Sequence, residues 1–238
     1  MRFSQVFLKD KFYIQKIIQA LEISENDVFL EVGPGEGIIT EEILKKCSTL
    51  IAIEIDYILV KHLKAKFSDF LGRKFFIIHD DFLKIDLNQF DFEKFRFFSN
   101  LPYHITHNAL FKILENKQKF IDIHIMLQKE VSDKILREKN YFHFLLNYYF
   151  EIKELFKIPP FAFSPRPKVF SSFLRFIPKQ TNFDLDFEKK LFNIIKLAFL
   201  HKRKKLKNVI RGILKEYENK RAQELDFEDF IKIALNYK

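Results

Sequence analysis

Short apolar runs alternate with amphipathic stretches along the first 136 residues. In the first amphipathic stretch, Ile14, Ile17, Ile18 and Leu21 recur at helical spacing and share one face. The apolar runs have the length of buried strands and lie at residues 27–32, 50–54, 75–78, 95–99 and 121–127. Because strands that alternate with helices form parallel sheets, the pattern predicts a Rossmann-like α/β fold with a doubly wound, mostly parallel sheet.

The pattern becomes less regular after this alternation. It predicts a helix at 128–136 and further strands at 142–150, 156–158 and 170–176, with an edge hairpin formed by the first and last of these strands. After Pro178 only helical periodicity remains. The predicted helices span residues 187–200, 206–217 and 227–235. We therefore expect residues 1–178 to form one α/β domain and residues 179–238 to form a small all-helical domain.

Composition adds a bias toward anionic partners. The 238 residues are 47% hydrophobic, and the formal net charge of +9 favours nucleic acid over membrane as a partner. Cys47 is the single cysteine, which excludes an internal disulfide and a cysteine-based zinc site. We find neither a signal peptide nor an apolar run of membrane-spanning length. The sequence predicts a cytoplasmic, monomeric protein without a metal ion.

Three of the five glycines lie in one turn, residues 33–37, between a predicted strand and a predicted helix. This arrangement opens a nucleotide-binding βα unit. A dinucleotide site requires the spacing G-x-G-x-x-G, whereas here Glu31 precedes Gly33, Gly35 and Gly37 at two-residue intervals. A buried acid beside the turn disfavours a phosphate and suits a cationic ligand such as S-adenosylmethionine.

Acidic residues also end the next two strands. Glu54 follows the second strand, where its carboxylate can accept both hydroxyls of a ribose, and Asp81 follows the third, where it can accept the amino group of an adenine. The alternative is an ordinary strand-end acid at position 54 and a solvated loop acid at position 81. Since parallel strands end at the same edge of a sheet, we expect these acids to lie beside the glycine turn.

The fourth strand runs into Asn100-Leu101-Pro102-Tyr103. The Asn100 side chain and the Leu101 carbonyl are acceptors, and Tyr103 adds a flat ring, so the segment can hold an adenine by its exocyclic nitrogen. The alternative is a strand that ends in a proline turn with a buried tyrosine.

Two segments carry cations suited to nucleic acid. The proline-rich residues 159–169 include Arg166 and Lys168 together with aromatic side chains. Residues 199–221 contain nine Lys or Arg and two Glu, a net charge of about +7, and include Lys202, Arg203, Lys204 and Lys205. A rigid surface connection and a solvated helix face are the alternatives. We favour a phosphate-binding arm for the second segment.

These motifs together resemble the ribosomal RNA adenine dimethyltransferase family, and specifically its small-subunit branch. The matching segments are 4–8, 31–37, 52–56, 100–103, 126–131, 161–172 and 199–208. The resemblance covers nearly the whole chain. It implies transfer of methyl groups from S-adenosylmethionine to two adjacent adenines near the 3′ end of small-subunit rRNA, in an immature ribosomal subunit.

The resemblance also implies residue roles. By their positions in the family motifs, Leu8, Gly33, Glu54, Asp81 and Asn100 would contact the cofactor. Asn100, Leu101 and Tyr103 would be the catalytic residues that hold the target base.

Four positions depart from the family pattern. Val6 stands where the family carries Asn, so we expect one polar interaction with the cofactor to be absent or replaced. Ser4 and Asp80 each stand in place of a family Gly, and Lys202 replaces an Arg.

Several alternative functions remain at this point. The nearest is the large-subunit rRNA methyltransferase of macrolide resistance, disfavoured by Leu101 and the basic 199–208 segment. A DNA adenine methyltransferase would carry a separate base-reading domain. A non-catalytic ribosome-assembly factor with a vestigial cofactor site is an alternative from another class, and an NAD oxidoreductase is disfavoured by the glycine spacing.

Overall fold

The computed structural model describes residues 6–101 and 105–237. Its helices are α1 Lys11–Ala20, α2 Ile38–Leu44, α3 Tyr57–Lys66, α4 Thr106–Glu115, α5 Lys129–Leu136, α6 Tyr141–Tyr149, α7 Leu185–Leu200 and α8 Phe227–Asn236. Its strands are β1 Phe7–Leu8, β2 Val28–Val32, β3 Thr49–Glu54, β4 Phe75–His79, β5 Phe95–Asn100, β6 Phe120–Gln128, β7 Phe150–Ile158, β8 Phe163–Ser164 and β9 Ser171–Pro178.

Seven strands form the main sheet in the order β4-β3-β2-β5-β6-β9-β7. The first five are mutually parallel, and β9 runs antiparallel to β6. The predicted doubly wound, mostly parallel sheet is confirmed. A separate two-stranded sheet joins β1 to β8 in antiparallel register, with Leu8 opposite Phe163.

The registers align the carboxyl ends of the parallel strands. Val32 lies opposite Ile53 and Ser99, Glu54 lies opposite His79, and Asn100 lies opposite Met126. Apolar side chains of α1, α2 and the sheet form a common core that includes Ile17, Ile43 and Phe29. This core holds the strand ends in place, so the turns that follow them meet at one edge.

The strand predicted at 142–150 is wrong, because residues 141–149 form helix α6. Asn140 caps this helix by accepting a hydrogen bond from the His143 amide at 2.9 Å. The aromatic run is equally suited to a strand, but Phe144, Leu145 and Leu146 are buried in the helical conformation. The edge pair of the sheet consists of β9 and β7 instead.

The helix predicted at 206–217 is also wrong. Residues 206–208 and 215–217 are short 3-10 helices, separated by Gly212 at φ +74°. The Leu206 amide donates to the Lys220 carbonyl at 2.9 Å, so this backbone is paired with a later segment. A left-handed residue and these pairings are incompatible with one continuous helix.

The described chain divides into two compact units. The first contains the residues up to Ser132 together with Glu151–Pro178. The second contains Asp133–Phe150 and the described residues from Lys179 onward. The predicted division at 178 therefore needs a correction, because Tyr148 and Tyr149 of α6 each donate to the buried Glu188 of α7, at 2.8 and 2.7 Å. Among the described residues, no helix has the length and apolarity of a membrane span.

Candidate active site

A cavity of about 270 Å³ lies in the first unit, where β2, β3 and β5 end. Its lining includes the predicted cofactor and base residues that the structure describes, namely Leu8, Gly33, Glu54, Asp81, Asn100 and Leu101. Tyr103 lies outside the described residues. Residues far apart in sequence are therefore brought to one cavity by the parallel sheet.

The glycine turn forms one wall. Gly33 adopts φ +68° and a Cβ added there would meet no atom within 4 Å, so its backbone borders open space. Gly35 adopts φ +58°, and a Cβ there would lie 2.9 Å from the Phe7 ring. The turn thus needs glycine both for its backbone conformation and for the close approach of β1.

Glu31 is buried in this wall with 2% of its surface exposed. Its Oε2 atom has no hydrogen-bond partner among the described residues. Burial, with a smaller contribution from the nearby Glu54, raises the pKa of Glu31 to about 8. A buried acceptor without a partner beside a cavity fits a cationic ligand, which supports the prediction from the glycine spacing.

Glu54 ends β3 and is 5% exposed. Its Oε1 accepts the Asp56 amide at 2.9 Å, which fixes the carboxyl at the strand end. Burial outweighs the hydrogen bonds from backbone amides and raises the pKa of this group above its usual value. The amides of Gly35 and Ile55 also bond this carboxyl. Because a carboxylate has about four acceptor sites, Glu54 retains acceptor capacity for a ligand hydroxyl.

Asp81 is half-buried in the turn after β4. Its Oδ1 accepts the Leu83 amide at 3.0 Å, and its own amide donates to the Asp80 carboxylate at 2.7 Å. Asp80, which stands in place of a Gly in the family pattern, thus accepts a hydrogen bond within the turn. Asp80 and Asp81 both line the cavity.

Asn100 ends β5, and its side chain is oriented by a backbone group. Its Nδ2 donates to the Val6 carbonyl at 3.2 Å. Since the amide nitrogen is used in this way, Oδ1 is the atom that can accept from a ligand. Val6 thus contributes through its carbonyl oxygen, a contact that no side-chain motif could reveal. The expectation that Val6 weakens the polar contact with the cofactor stays a prediction.

None of the predicted RNA-binding cations, all within the described residues, is a lining residue of the cavity. Arg166 and Lys168 are exposed in the loop between β8 and β9 of the first unit. Lys202, Arg203, Lys204 and Lys205 are exposed in the second unit, in turns after α7. Lys205 Nζ lies 3.3 Å from Asn219 Oδ1. Buried Leu206 and Ile210 anchor the segment, so its cations face solvent.

The sheet order and the cavity define an α/β methyltransferase, the class that uses S-adenosylmethionine as methyl donor. A dimethyladenosine transferase from Plasmodium falciparum has a similar structure, with a TM-score of 0.81, 23% identity and 97% of each chain covered. The 23S rRNA methyltransferase ErmE has a TM-score of 0.79 at 21% identity, over 97% of this chain and 99% of that one. At this identity the likeness concerns the fold.

Sequence comparison gives the family. A family model described as ribosomal RNA adenine dimethylase matches residues 1–236. The ribosomal RNA small subunit methyltransferase A of Francisella tularensis subsp. novicida is 34% identical over 97% of this chain and 94% of its own. The protein of that description from Xylella fastidiosa is 37% identical over 98% and 93%. The chain belongs to the ribosomal RNA adenine dimethylase family and is an S-adenosylmethionine-dependent rRNA adenine dimethyltransferase.

Proposed function

We propose that this enzyme dimethylates the exocyclic amino groups of two adjacent adenines near the 3′ end of small-subunit rRNA. Its substrate is the immature small ribosomal subunit, in the cytoplasm. The similarity to small-subunit methyltransferases over nearly the full length of both chains supports this choice. The fold does not distinguish the subunits, since ErmE, a 23S rRNA enzyme, shares it.

The cavity residues have complementary roles toward the cofactor. Glu54 accepts the ribose hydroxyls, and Asp81 accepts the amino group of the cofactor's adenine. Leu8 and Gly33 border the remaining part. Glu31 lies near the cationic end, where a neighbouring positive charge favours the ionised form of its carboxyl. When bound, S-adenosylmethionine supplies an electrophilic methyl group. Within the described part of the chain Glu31 Oε2 has no hydrogen-bond partner, and this atom and the remaining acceptor capacity of Glu54 support the assignment.

The orientation of Asn100 carries the proposal for the target base. Because Nδ2 donates to the Val6 carbonyl, Oδ1 can accept one N–H of the adenine amino group, and the Leu101 carbonyl can accept the other. Two acceptors favour a pyramidal nitrogen with a localised lone pair. Tyr103, which lies outside the described residues, is proposed to stack on the base. Orientation and preorganised polar groups supply much of the rate.

The chain's residues need not remove a proton before transfer. In an in-line displacement, the nitrogen would become cationic as its bond to the methyl group forms and the sulfur–methyl bond breaks, which leaves the sulfur as a neutral thioether. The proton of the nitrogen would then pass to water. The target base must leave its stack to reach Asn100, at a cost of a few kcal/mol. Contacts elsewhere on the RNA offset this cost. We assign the phosphate contacts to Arg166 and Lys168 in one unit and to Lys202, Arg203, Lys204 and Lys205 in the other.

The test is a methylation assay on purified ribosomal subunits. Unmethylated small subunits and, in parallel, large subunits are incubated with methyl-labelled S-adenosylmethionine, and the labelled nucleotides are mapped. We expect label on two adjacent adenines near the 3′ end of small-subunit rRNA. Label confined to large-subunit rRNA would support the macrolide-resistance type instead. Tight binding to small subunits without methyl transfer would support a non-catalytic assembly factor.

A further inference from the structure

Three aromatic rings lie together on the surface of the first unit, outside the cavity. Phe12 and Tyr13 of α1 have ring centroids 5.1 Å apart at an interplanar angle of 88°. Tyr13 and Phe161 have centroids 6.5 Å apart. Phe12 is 66% exposed and Phe161 is 61% exposed. We call these three residues the aromatic patch.

Backbone pairing holds the two parts of the aromatic patch together. The amides of Lys9 and Asp10, just before α1, donate to the Ala162 carbonyl at 2.8 and 3.2 Å. Ala162 follows Phe161, and β1 pairs with β8 immediately beyond these bonds. Single exposed aromatic residues are common on protein surfaces, but here two distant segments are fixed so that their rings are neighbours.

A short stretch of chain links the aromatic patch to the cavity lining. Phe7 and Leu8 of β1 line the cavity, and the same stretch of chain continues into α1. Lys9 forms an ion pair with Glu36, another lining residue. A polymer with one residue in the cavity could therefore extend along β1 onto the rings.

The charges around the rings are mainly positive. Lys16 Nζ lies 4.5 Å from the Phe156 ring centroid and 6.0 Å from that of Phe12. Lys11 is exposed beside Phe12. The nearby acid, Asp10, caps α1 by accepting the Phe12 and Tyr13 amides at 2.9 and 3.3 Å. Exposed rings with adjacent cations match unpaired nucleotides, whose bases stack and whose phosphates are negative.

We propose that the aromatic patch binds unpaired nucleotides of the RNA next to the target adenine, by stacking their bases on Phe12 and Phe161. This inference rests on the proposed RNA substrate, but not on which ribosomal subunit supplies it. Stacking requires single-stranded RNA, since the faces of paired bases are covered in a duplex. The aromatic patch would thereby favour a target region that is already unpaired and would hold it while the adenine enters the cavity.

The test compares single-stranded and double-stranded RNA. Fluorescence anisotropy measures binding of a labelled 12-nucleotide oligoadenylate and of a 12-base-pair RNA duplex to the full chain. The variants are Phe12→Ala, Phe161→Ala and the double change, with Phe12→Tyr as a conservative variant. Phe76→Ala is the matched control. Phe76 is 41% exposed on β4, an edge strand of the main sheet that contributes no residue to the aromatic patch.

We expect each alanine change to weaken oligoadenylate binding by about fivefold to 150-fold, the range for one stacked base. The affinity of every variant for the duplex should stay close to that of wild type. The affinities of Phe12→Tyr and Phe76→Ala for oligoadenylate should also stay close to that of wild type. Unchanged oligoadenylate binding by the double variant would overturn the proposal, as would equal loss for the single strand and the duplex. Melting temperature and cofactor affinity, measured in parallel, should not change. Failure of the subunit methylation assay would refute the proposed function and leave this result standing.

Discussion

At the scale of single residues, two cavity side chains use one polar atom to bond the protein backbone, and we propose that they use their remaining acceptors for a ligand. Asn100 gives its amide nitrogen to the Val6 carbonyl, and Glu54 gives one oxygen to the Asp56 amide. Each contact fixes a rotamer and leaves acceptor capacity on the side chain. Glu31 differs, because its Oε2 has no partner among the described residues. These differences predict different consequences of substitution.

Asn100→Ala removes the acceptor that we propose for the reacting nitrogen. We expect the rate of methyl transfer in a single turnover to fall about 10²–10³-fold, as when a preorganised polar group is removed from a reacting centre. Asn116→Ala is the control, since Asn116 bonds the Lys112 carbonyl at the end of α4 and does not line the cavity. A folded Asn100→Ala protein with the wild-type rate would remove Asn100 from the proposed chemistry.

Glu31 predicts a pH dependence of stability. Its pKa rises from 4.5 in the unfolded chain to about 8 in the folded protein, so the folded state binds this proton more tightly. The resulting stabilisation is fully present below pH 4.5 and is lost as the pH rises through 8. The side chain of Glu31→Gln is neutral at every pH. We therefore expect the free energy of unfolding of the variant minus that of wild type to rise as the pH increases from 4.5 to about 8, and to level off above that pH.

Urea denaturation of both proteins from about pH 5 to about pH 9 measures this difference, in which the other titrating groups cancel. A difference that does not vary with pH would mean that Glu31 is ionised in the folded protein.

At the scale of elements, an ion-pair network joins the strands at the end of the sheet away from the cavity. Arg96 of β5 donates to Asp122 of β6 through Nε at 2.9 Å and Nη2 at 2.8 Å. It also bonds Asp27, just before β2, at 2.8 Å. Burial would raise the pKa of Asp122, but the bonds from Arg96 keep it below the usual value. This network aligns the starts of three strands.

Arg96→Met should destabilise the protein by about 3–5 kcal/mol, because it leaves the buried Asp122 carboxylate without its main partner. The double change Arg96→Met with Asp122→Leu should recover much of this stability, since the buried carboxylate is then removed together with its main partner. Guanidinium denaturation of the two single variants and the double variant measures the coupling. If the losses in free energy of unfolding of the two single variants add up to the loss in the double variant, the strands do not depend on this pair.

At the scale of the whole molecule, the excess positive charge is unevenly distributed. Residues 199–221 have a net charge of about +7 in a chain with a net charge of +9. The structure places these cations on turns anchored by buried Leu206, Ile213 and Tyr217 rather than on a helix. An irregular, anchored segment can follow a phosphate backbone without reading bases.

Replacing Lys202, Arg203 and Lys205 by Gln should weaken RNA binding and reduce the slope of log affinity against log salt by about 0.7–0.9 for each phosphate that is no longer neutralised. The control is a triple variant with the same change of charge, in which Gln replaces three lysines exposed in the same unit, Lys189, Lys196 and Lys232. Filter binding of small-subunit rRNA at several salt concentrations provides the slopes. Equal slopes for the two triple variants would mean that residues 202–205 do not contact phosphates and are an ordinary solvated surface.

Features that depend on local patterns are predictable from sequence. The parallel strands and the glycine turn are among them, because apolar periodicity and backbone freedom are local properties. The convergence of Glu54, Asp81 and Asn100 follows from the rule that parallel strands share one carboxyl edge. The family resemblance rests on the same local motifs, and the family match confirms it.

Only the tertiary structure decided what depends on distant partners. Residues 142–150 have aromatic side chains suited to either a strand or a helix, and their partners, such as Glu188, selected the helix. The carbonyl of Val6 orients Asn100, and every residue type has that carbonyl, so sequence carries no signal for it. The aromatic patch joins Phe12 to Phe161 only because β1 pairs with β8. Long-range pairing is a property of the folded chain, which a local pattern cannot encode.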